Sequence, residues 1–449
     1  MILNKRMTRR FEKKIIPIVC IAFFTLSGCT SKQQSEISIY YTPETGEYIH
    51  NALKLSTDDA YELPIETLEQ AEEKGKIILS LADGGSSGAI RFMVDSFNCE
   101  NEKYHIERNV YANEELNEKR EKLKIELATG KGPDLMTYSA MPYVYEIMDK
   151  GCFVDLVPLM KQSGITDDLY FPSYKAITYK DFVYGLSPSG NAVGRAISKD
   201  VIGGKEIPSY EVFVDAVLNY SKDAVFINDT QKSEKILEYF LEGSENLWGM
   251  IDWENGVCDF HGELFSKILD IVKRYSEARN KGYKPIAKNV WLTPGSDSRI
   301  EQYEKDGFVI VNFWFDDGNF PMNTISNETL MINANTQNIE GAWAFISYCL
   351  SERGQSYNIG SPVKKSVYDL IFEDYRALYD SEKEADKFYP HSQIEDYKHK
   401  LETGKYVPYK INPIINIIEE EAGAYWSGSK SKEDVIDIIQ NRVSVFLKE

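Results

Sequence analysis

Cysteine and histidine are scarce in this chain, and their spacing excludes several kinds of site. The 449 residues include six cysteines and five histidines. No two cysteines are spaced as Cys-x-x-Cys, so neither a zinc ribbon nor a thioredoxin-like redox site is supported. The histidines form no His-Glu-x-x-His motif. We therefore expect no metal and no cofactor. The sequence leaves undetermined whether one disulfide forms among Cys99, Cys152, Cys258 and Cys349.

Basic residues and long apolar runs are also in short supply. The chain has 51 lysines and arginines against 70 acidic residues, a formal net charge of −19. An acidic body repels phosphate backbones, so we expect no nucleic-acid partner. One long apolar stretch near the N-terminus excludes a polytopic membrane protein. A content of 43% hydrophobic and 27% charged residues indicates a folded chain of two or three domains.

The N-terminus has the pattern of a targeting segment. A cationic stretch from Lys5 to Lys14 precedes the apolar run Ile15–Leu26, which is too short to cross a bilayer comfortably. The tetrad Leu26-Ser27-Gly28-Cys29 follows directly and resembles the bacterial lipobox. That resemblance implies lipidation of Cys29, a signal peptide at 1–28, and a lipid-anchored tether and N-terminal segment at 29–75. The alternative is a plain secretory signal with a chance cysteine.

Strand and helix patterns alternate from Lys76 onward. The predicted strands are Ile77–Ala82, Tyr104–Tyr111 and Asp134–Tyr138, and the predicted helices are Ser87–Phe97, Glu114–Thr129 and Pro142–Lys150. This β-α-β-α order predicts an α/β fold with a mostly parallel sheet. The rest of the chain is rich in helix patterns, interrupted by a buried-strand pattern at Phe308–Phe315.

Several local patterns occur in one order along residues 76–449. They include Thr129-Gly130-Lys131-Gly132-Pro133-Asp134, Val183-Tyr184-Gly185-Leu186 and Ser351-Glu352-Arg353-Gly354-Gln355. Taken together, and behind a lipobox, they resemble the extracellular solute-binding proteins of ABC importers, the family that includes maltose-binding protein. Residues 37–74 have no counterpart in the compact members of that family.

The resemblance implies a two-lobed periplasmic-binding-protein type II fold, with a ligand cleft between the lobes and a hinge that closes it. The order of elements predicts a first lobe at 76–190 and 325–352, and a second lobe at 191–324 and 353–449. The implied function is capture of a solute, an oligosaccharide, for the permease subunits of an ABC transporter. We expect a monomer tethered to the outer face of the cell membrane.

Three residues of the first lobe are candidates for ligand contact. Tyr138 ends the strand after Gly-Pro-Asp, where the carboxyl ends of parallel strands form the crevice that binds ligands. Asp83 follows the first strand, at the start of a helix whose free N–H groups favour oxygen ligands, and Ser86 lies in the same loop. The alternative for Asp83 is that it caps this helix together with Ser86 or Ser87.

The second lobe offers tryptophans as platforms for a sugar ring, whose C–H face packs on flat aromatic groups. Trp314 precedes the loop Asp316-Asp317-Gly318-Asn319, where the resembling family often places an aromatic platform. Trp248 and Trp253 flank the start of another second-lobe segment and are further candidates.

Other functional classes remain open alongside transport. A surface lipoprotein of this fold that senses or presents a ligand would share these features. A secreted carbohydrate-active enzyme would need two carboxylates, but 70 acidic residues provide such pairs by chance. The chain has no Gly-x-Ser-x-Gly motif, and Asp252–Gly256 matches only half of an EF-hand loop. We find no catalytic constellation and expect a binding protein.

Overall fold

A computed structural model describes residues 65–448 of the chain, with internal gaps. The gaps are 86–87, 112–114, 143, 171–176, 180–181, 204–208, 222–223, 228–232, 242–248, 253–254, 277–284, 293–302, 312–320, 324–326, 356, 358–360, 378, 380, 404 and 407–410.

The described chain forms two compact units, each built from two pieces of sequence. The first unit contains the chain up to Gly190 and the segment Thr324–Ile394. The second unit contains Asn191–Asn323 and Glu395–Glu449. The chain therefore passes from one unit to the other three times.

Eight strands and nine helices of the described chain begin in the first unit. In chain order they are α1 (Leu68–Glu73), β1 (Ile77–Asp83), α2 (Gly88–Glu100), β2 (Tyr104–Val110), α3 (Leu116–Ala128), β3 (Leu135–Thr137), α4 (Val157–Ser163), β4 (Thr178–Tyr179), β5 (Phe182–Val183), the start of β6 (Ser189–Ser198), β12 (Leu330–Ile332), α9 (Ile339–Cys349), α10 (Glu352–Gln355), β13 (Ser361–Pro362), α11 (Lys365–Arg376), α12 (Glu382–Phe388) and the start of α13 (His391–Thr403).

The main sheet of the first unit has the strand order β12-β3-β1-β2. Strand β1 is parallel to both β2 and β3, whereas β12 is antiparallel to β3. Leu79 and Leu81 on β1 are fully buried, and Phe97 on α2 meets Phe345 on α9 edge-on with ring centroids 5.2 Å apart. The predicted parallel α/β arrangement is thus observed, with one antiparallel strand at an edge.

Two sequence predictions for the first unit are wrong. The helix predicted at Pro142–Lys150 is replaced, in its described part, by two short 3₁₀ turns at Val144–Glu146 and Met148–Lys150. The second turn ends at Gly151, whose φ of 68° is a left-handed conformation that stops a helix. An apolar pattern of nine residues is too short to distinguish a helix from consecutive turns.

The second wrong prediction concerns the segment 353–394, which the structure assigns to the first unit and not to the second lobe. The Gln355 side chain is buried and accepts hydrogen bonds from the backbone N–H groups of Val363 and Lys364. Strand β13 then pairs with the first residues of β6, Ser361 with Gly190. The pairing of Ser361 with Gly190 joins residues distant in sequence, so the order of elements alone did not reveal it.

The second unit is built mainly from helices, with one larger sheet and a separate two-stranded sheet of β7 and β8. Its elements are the remainder of β6, α5 (Lys199–Ile202), α6 (Tyr210–Asn219), α7 (Ser233–Leu241), β7 (Ile251–Asp252), β8 (Val257–Cys258), α8 (Glu263–Ser276), β9 (Ala287–Leu292), β10 (Phe308–Val311), β11 (Pro321–Asn323), the remainder of α13, β14 (Lys405–Tyr406), α14 (Ile411–Trp426) and α15 (Lys432–Phe446). Strand β6 pairs antiparallel with β9, β10 and β11, and β11 pairs parallel with β14.

Helix α8 shows why this unit has its own core. Its apolar side chains recur at helical spacing, and six of them from Phe265 to Tyr275 are buried. They pack with side chains of α6, α7, α14 and α15 in one apolar cluster. Trp426 lies beside this cluster and its Nε1 donates a hydrogen bond to the Leu269 carbonyl at 3.2 Å.

Buried charges fix the segment before β1 to the amino edge of the first sheet. The Glu66 carboxylate accepts hydrogen bonds from Lys74 at 2.9 Å and Lys76 at 2.7 Å, and lies 3.0 Å from Nδ1 of His105. Lys76 also donates to the Asn98 carbonyl at 2.6 Å. Burial alone would raise the pKa of Glu66, but the hydrogen bonds from Lys74, Lys76 and His105 outweigh it and lower the pKa to about 2.

Candidate functional site

The carboxyl edge of the first sheet brings together residues from three strands. Strands β1, β2 and β3 are parallel, so their carboxyl ends lie at the same edge, with β1 in the middle. Asp83 ends β1, Tyr111 directly follows β2, and Tyr138 directly follows β3. Because neighbouring strands are about 4.8 Å apart, the backbones of the two tyrosines are separated by roughly 10 Å. Open α/β sheets bind ligands at this kind of edge.

Asp83 is a fully buried carboxylate with several partners. Nε of Arg108 donates to its Oδ2 at 2.7 Å, and the hydroxyls of Thr137 and Ser139 each lie 3.3 Å from its Oδ1. The Asp83 carbonyl accepts the Tyr111 N–H at 2.8 Å, which extends the pairing of β1 with β2 by one bond. Asp83, at the end of β1, is therefore hydrogen-bonded to residues at the ends of both β2 and β3. Direct ligand contact by Asp83 stays a prediction.

Gly84 allows the loops after β1 and β3 to touch through their backbones. A Cβ atom built on Gly84 would lie 2.0 Å from the Ser139 carbonyl oxygen and 2.5 Å from the Ala140 nitrogen. The Gly84 N–H also points to the Thr137 hydroxyl at 3.4 Å. Any side chain at this position would therefore force one of the two loops to move.

Tyr138 is half-buried, and the backbone around it is held on two sides. The N–H groups of Tyr138 and Ser139 donate to the carbonyls of Thr329 and Asn327, at 2.8 and 3.2 Å. Nε and Nη2 of Arg120 donate to the Ser139 carbonyl at 3.0 and 2.6 Å. Tyr138 thus follows its strand as the sequence predicts, and its contact with a ligand stays a prediction.

Tyr111 is a second half-buried tyrosine that the sequence analysis did not single out. Its ring has Nζ of Lys119 at 5.5 Å from the centroid. Burial, with a smaller effect from the charge of Glu126, raises the pKa of Tyr111 to about 12, so its hydroxyl is neutral at physiological pH. The available signal was its position directly after an alternating strand, equivalent to that of Tyr138.

The charged side chains described at this edge are held in ion pairs or by a hydrogen bond to the backbone. Arg108 pairs with Asp83, Lys119 pairs with Glu115 at 3.1 Å, and the Arg120 guanidinium is bound to the Ser139 carbonyl. What remains at the carboxyl edge is a set of aromatic rings and hydroxyl groups. This combination suits an uncharged, hydroxyl-rich molecule better than an ion.

Within the described ranges, one cluster has the geometry of a metal site. Glu382, Asp386 and His391 bring one ligand atom each within 4.8 Å of one another, and all three are exposed. The buried Arg376 binds both carboxylates, with Nη1 2.7 Å from Asp386. The positive charge of Arg376 thus already compensates the negative charge of the two carboxylates that would have to bind a cation.

In the half-EF-hand pattern, Asp252 ends β7, and Asn255 and Gly256 directly precede β8. Oδ1 of Asp252 accepts the Asn255 N–H at 3.1 Å, and Oδ2 accepts the Asn255 side-chain amide at 2.6 Å. Gly256 follows with a φ of 64°, so the chain reverses between β7 and β8. The Asp252 carboxylate therefore has a local role in closing this hairpin.

The other predicted site residues are not among those that the structure describes. They are Cys29, Ser86, Trp248, Trp253 and Trp314. In the part of the chain that is described, no helix is both long and apolar enough to cross a membrane.

Two α/β units linked by three chain passages are typical of proteins of the periplasmic-binding type. Residues 93–379 match the model of a family described as bacterial extracellular solute-binding protein. The match covers more than half of the chain, and the chain belongs to this family. Membership places it outside the cytoplasm and confirms the resemblance found in the sequence.

Solved structures show the same fold at low sequence identity. The GacH receptor of Streptomyces glaucescens is 17% identical, with a TM-score of 0.54 over 83% of this chain and 98% of that one. The cyclic alpha-maltosyl-1,6-maltose binding protein of Arthrobacter globiformis is 15% identical, with a TM-score of 0.55 over 83% and 100%. A periplasmic solute binding protein of Pectobacterium atrosepticum is 14% identical, with a TM-score of 0.57 over 83% and 98%. No curated protein matches the chain. The predicted fold class is confirmed.

Proposed function

We propose that this protein captures an uncharged oligosaccharide and delivers it to the permease of an ABC transporter. The observation that carries the proposal is the carboxyl edge of the first unit, where Tyr111 and Tyr138 lie on either side of Asp83 and where Arg108 and Arg120 are bound to other groups of the protein. Tyrosine rings offer an apolar surface for the C–H face of a sugar and a hydroxyl for its rim.

Two structural relatives support a sugar as the class of ligand. The GacH receptor is described in complex with acarbose and an acarbose homolog, and the Arthrobacter protein as binding cyclic alpha-maltosyl-1,6-maltose. Both share this chain's fold, and family membership supports capture of a solute. The family is one of binding proteins, so we infer that the chain releases its ligand unchanged and is not an enzyme.

The second unit would complete the site. We propose that the two units are the lobes of the binding protein and that both contribute to the ligand site. Trp314 is the first candidate for an aromatic platform in the second unit, with Trp248 and Trp253 as further candidates, because each tryptophan could stack on a second sugar face. Asp83 and Ser86 would contribute from the first lobe through the loop after β1.

A thermal-shift screen tests the class of ligand. A ligand that binds only the folded form raises stability by RT ln(1 + [L]/Kd), about 2.7 kcal/mol at a hundredfold excess over Kd. We expect neutral oligosaccharides to raise the melting temperature. A panel in which peptides or cations stabilise the protein and every sugar fails would refute the carbohydrate proposal.

We further propose that Cys29 is the site of lipid attachment. The basis is the tetrad Leu26-Ser27-Gly28-Cys29 after a short apolar run. Two acyl chains on one cysteine give the anchor that stable membrane attachment requires. Metabolic labelling with a palmitate analogue should mark the wild-type protein and not Cys29→Ser. Label that persists in Cys29→Ser would contradict the assignment.

A further inference from the structure

Arg120 on helix α3 donates hydrogen bonds to the backbone of a loop. Helix α3 carries charged pairs on its surface, such as Lys119 with Glu115 at 3.1 Å and Lys124 with Glu121 at 2.8 Å. Arg120 lies on the same helix, and its Nε and Nη2 donate to the Ser139 carbonyl at 3.0 and 2.6 Å. Because α3 is rich in charged residues, the sequence alone does not distinguish an arginine that makes this contact from an exposed one.

The Ser139 carbonyl is a point at which three parts of the first unit meet. Ser139 is buried, and the backbone of Gly84 presses against its carbonyl, since a Cβ there would approach to 2.0 Å. On either side of this carbonyl, the N–H of Tyr138 donates to Thr329 and the N–H of Ala140 donates to the Thr137 carbonyl at 3.1 Å. Arg120 supplies charged donors to the acceptor in the middle of this loop.

We propose that Arg120 is a positioning residue for the ligand site, which fixes the ring of Tyr138 by holding the next carbonyl along the chain. This inference rests on the proposed function, because it assumes that Tyr138 contacts the solute. Arg120 itself does not need to touch the ligand. A loop that is already in its binding conformation loses less conformational entropy when the ligand arrives, so binding is tighter.

The geometry distinguishes arginine from lysine at this position. A guanidinium presents two parallel donors from a planar group, whereas an ammonium offers a single flexible point of contact. Arg120→Lys should therefore keep the charge but hold the Ser139 carbonyl less firmly. Arg120→Met keeps most of the apolar stem and removes both donors, so it should release the loop.

Hydrogen exchange followed by mass spectrometry tests the positioning role without any ligand. The full chain in detergent is compared with Arg120→Met, Arg120→Lys and the control Arg91→Met. Arg91 lies on α2 of the same unit, is 61% exposed in its side chain and pairs with Asp95 at 3.6 Å. We expect the peptide that covers residues 138–141 to exchange about ten- to 100-fold faster in Arg120→Met. The exchange rate of this peptide in Arg120→Lys should lie between those of the wild type and Arg120→Met. In Arg91→Met it should equal the wild-type rate.

Titration of the same proteins with acarbose, below their melting temperatures, tests the link to binding. We expect Kd to rise by about ten- to 100-fold in Arg120→Met, to rise less in Arg120→Lys, and to be unchanged in Arg91→Met. A general loss of stability would not produce this order together with a change in exchange confined to residues 138–141.

The outcomes separate this proposal from the proposed function. Unchanged exchange of residues 138–141 in Arg120→Met overturns the positioning role, whether or not acarbose binds. Faster exchange with unchanged acarbose affinity overturns the link between this loop and the ligand. If the wild type does not bind acarbose, the choice of ligand is wrong, and the exchange comparison still decides whether Arg120 fixes the loop.

Discussion

Replacing Gly84 by alanine is expected to displace the loop after β3 and to abolish tight ligand binding. The new methyl group would lie 2.0 Å from the Ser139 carbonyl oxygen and 2.2 Å from its carbon, and both are backbone atoms. Backbone atoms cannot rotate away as a side chain does, so the cost should reach the upper end of overpacking, about 3 kcal/mol. Thermal unfolding and acarbose titration of Gly84→Ala measure both effects.

Gly85→Ala is the matched control for this experiment. Gly85 has a φ of 83°, but among the residues that the structure describes a Cβ there would meet no atom within 4 Å. Alanine at Gly85 should therefore cost only the strain of a left-handed conformation, about 1 kcal/mol. Equal losses of stability and affinity in the two variants would contradict the close contact between Gly84 and Ser139.

Replacing Glu66 by glutamine is expected to destabilise the first unit strongly at neutral pH. The variant leaves Lys76 buried without the carboxylate that lies 2.7 Å away, and breaking a buried ion pair costs about 3 kcal/mol or more. The effect should depend on pH because the folded-state pKa of Glu66 is lowered from 4.5 to about 2. A lowered pKa gives stability that is complete above pH 4.5 and is lost as the pH falls towards 2.

The difference in stability between the wild type and Glu66→Gln should therefore shrink as the pH falls below 4.5. Denaturant unfolding, followed by circular dichroism from pH 7 down to the lowest pH at which both proteins fold, measures it. Glu340→Gln serves as control, since the exposed Glu340 pairs with the exposed Lys103 at 3.1 Å and such pairs contribute at most about 1 kcal/mol. A difference for Glu66→Gln that is constant across this range would contradict the assigned role of the carboxylate.

The sequence was most informative where a local pattern determined the structure. Strand β1 was predicted at Ile77–Ala82 and observed at Ile77–Asp83, because a short, mostly apolar run with a glycine near each end leaves few alternatives. Helix α15 begins at Lys432, directly after Ser431, whose side chain accepts the Asp434 N–H, and serine is one of the residues preferred at this position.

The site was less predictable because its contacts depend on register and packing. Asp83 and Arg108 are 25 residues apart, and they meet because β1 pairs with β2 so that Asp83 lies opposite Val110. Tyr111 was overlooked because a tyrosine after a strand is common, and its neighbour across β1 is known only from the strand order. In the sequence, Arg120 is one of many charged residues on α3, and its contact with Ser139 is known only from the structure.

Calorimetric titration of the wild type and Tyr138→Ala with neutral oligosaccharides, acarbose among them, tests the central claim most directly. The account predicts one binding site per chain in the wild type. It also predicts that Tyr138→Ala loses about 1 to 3 kcal/mol of binding free energy, roughly five- to 150-fold in Kd, with little change in melting temperature. Sugar binding that is unaffected by Tyr138→Ala, or a wild type that binds peptides or cations and no sugar, would contradict it.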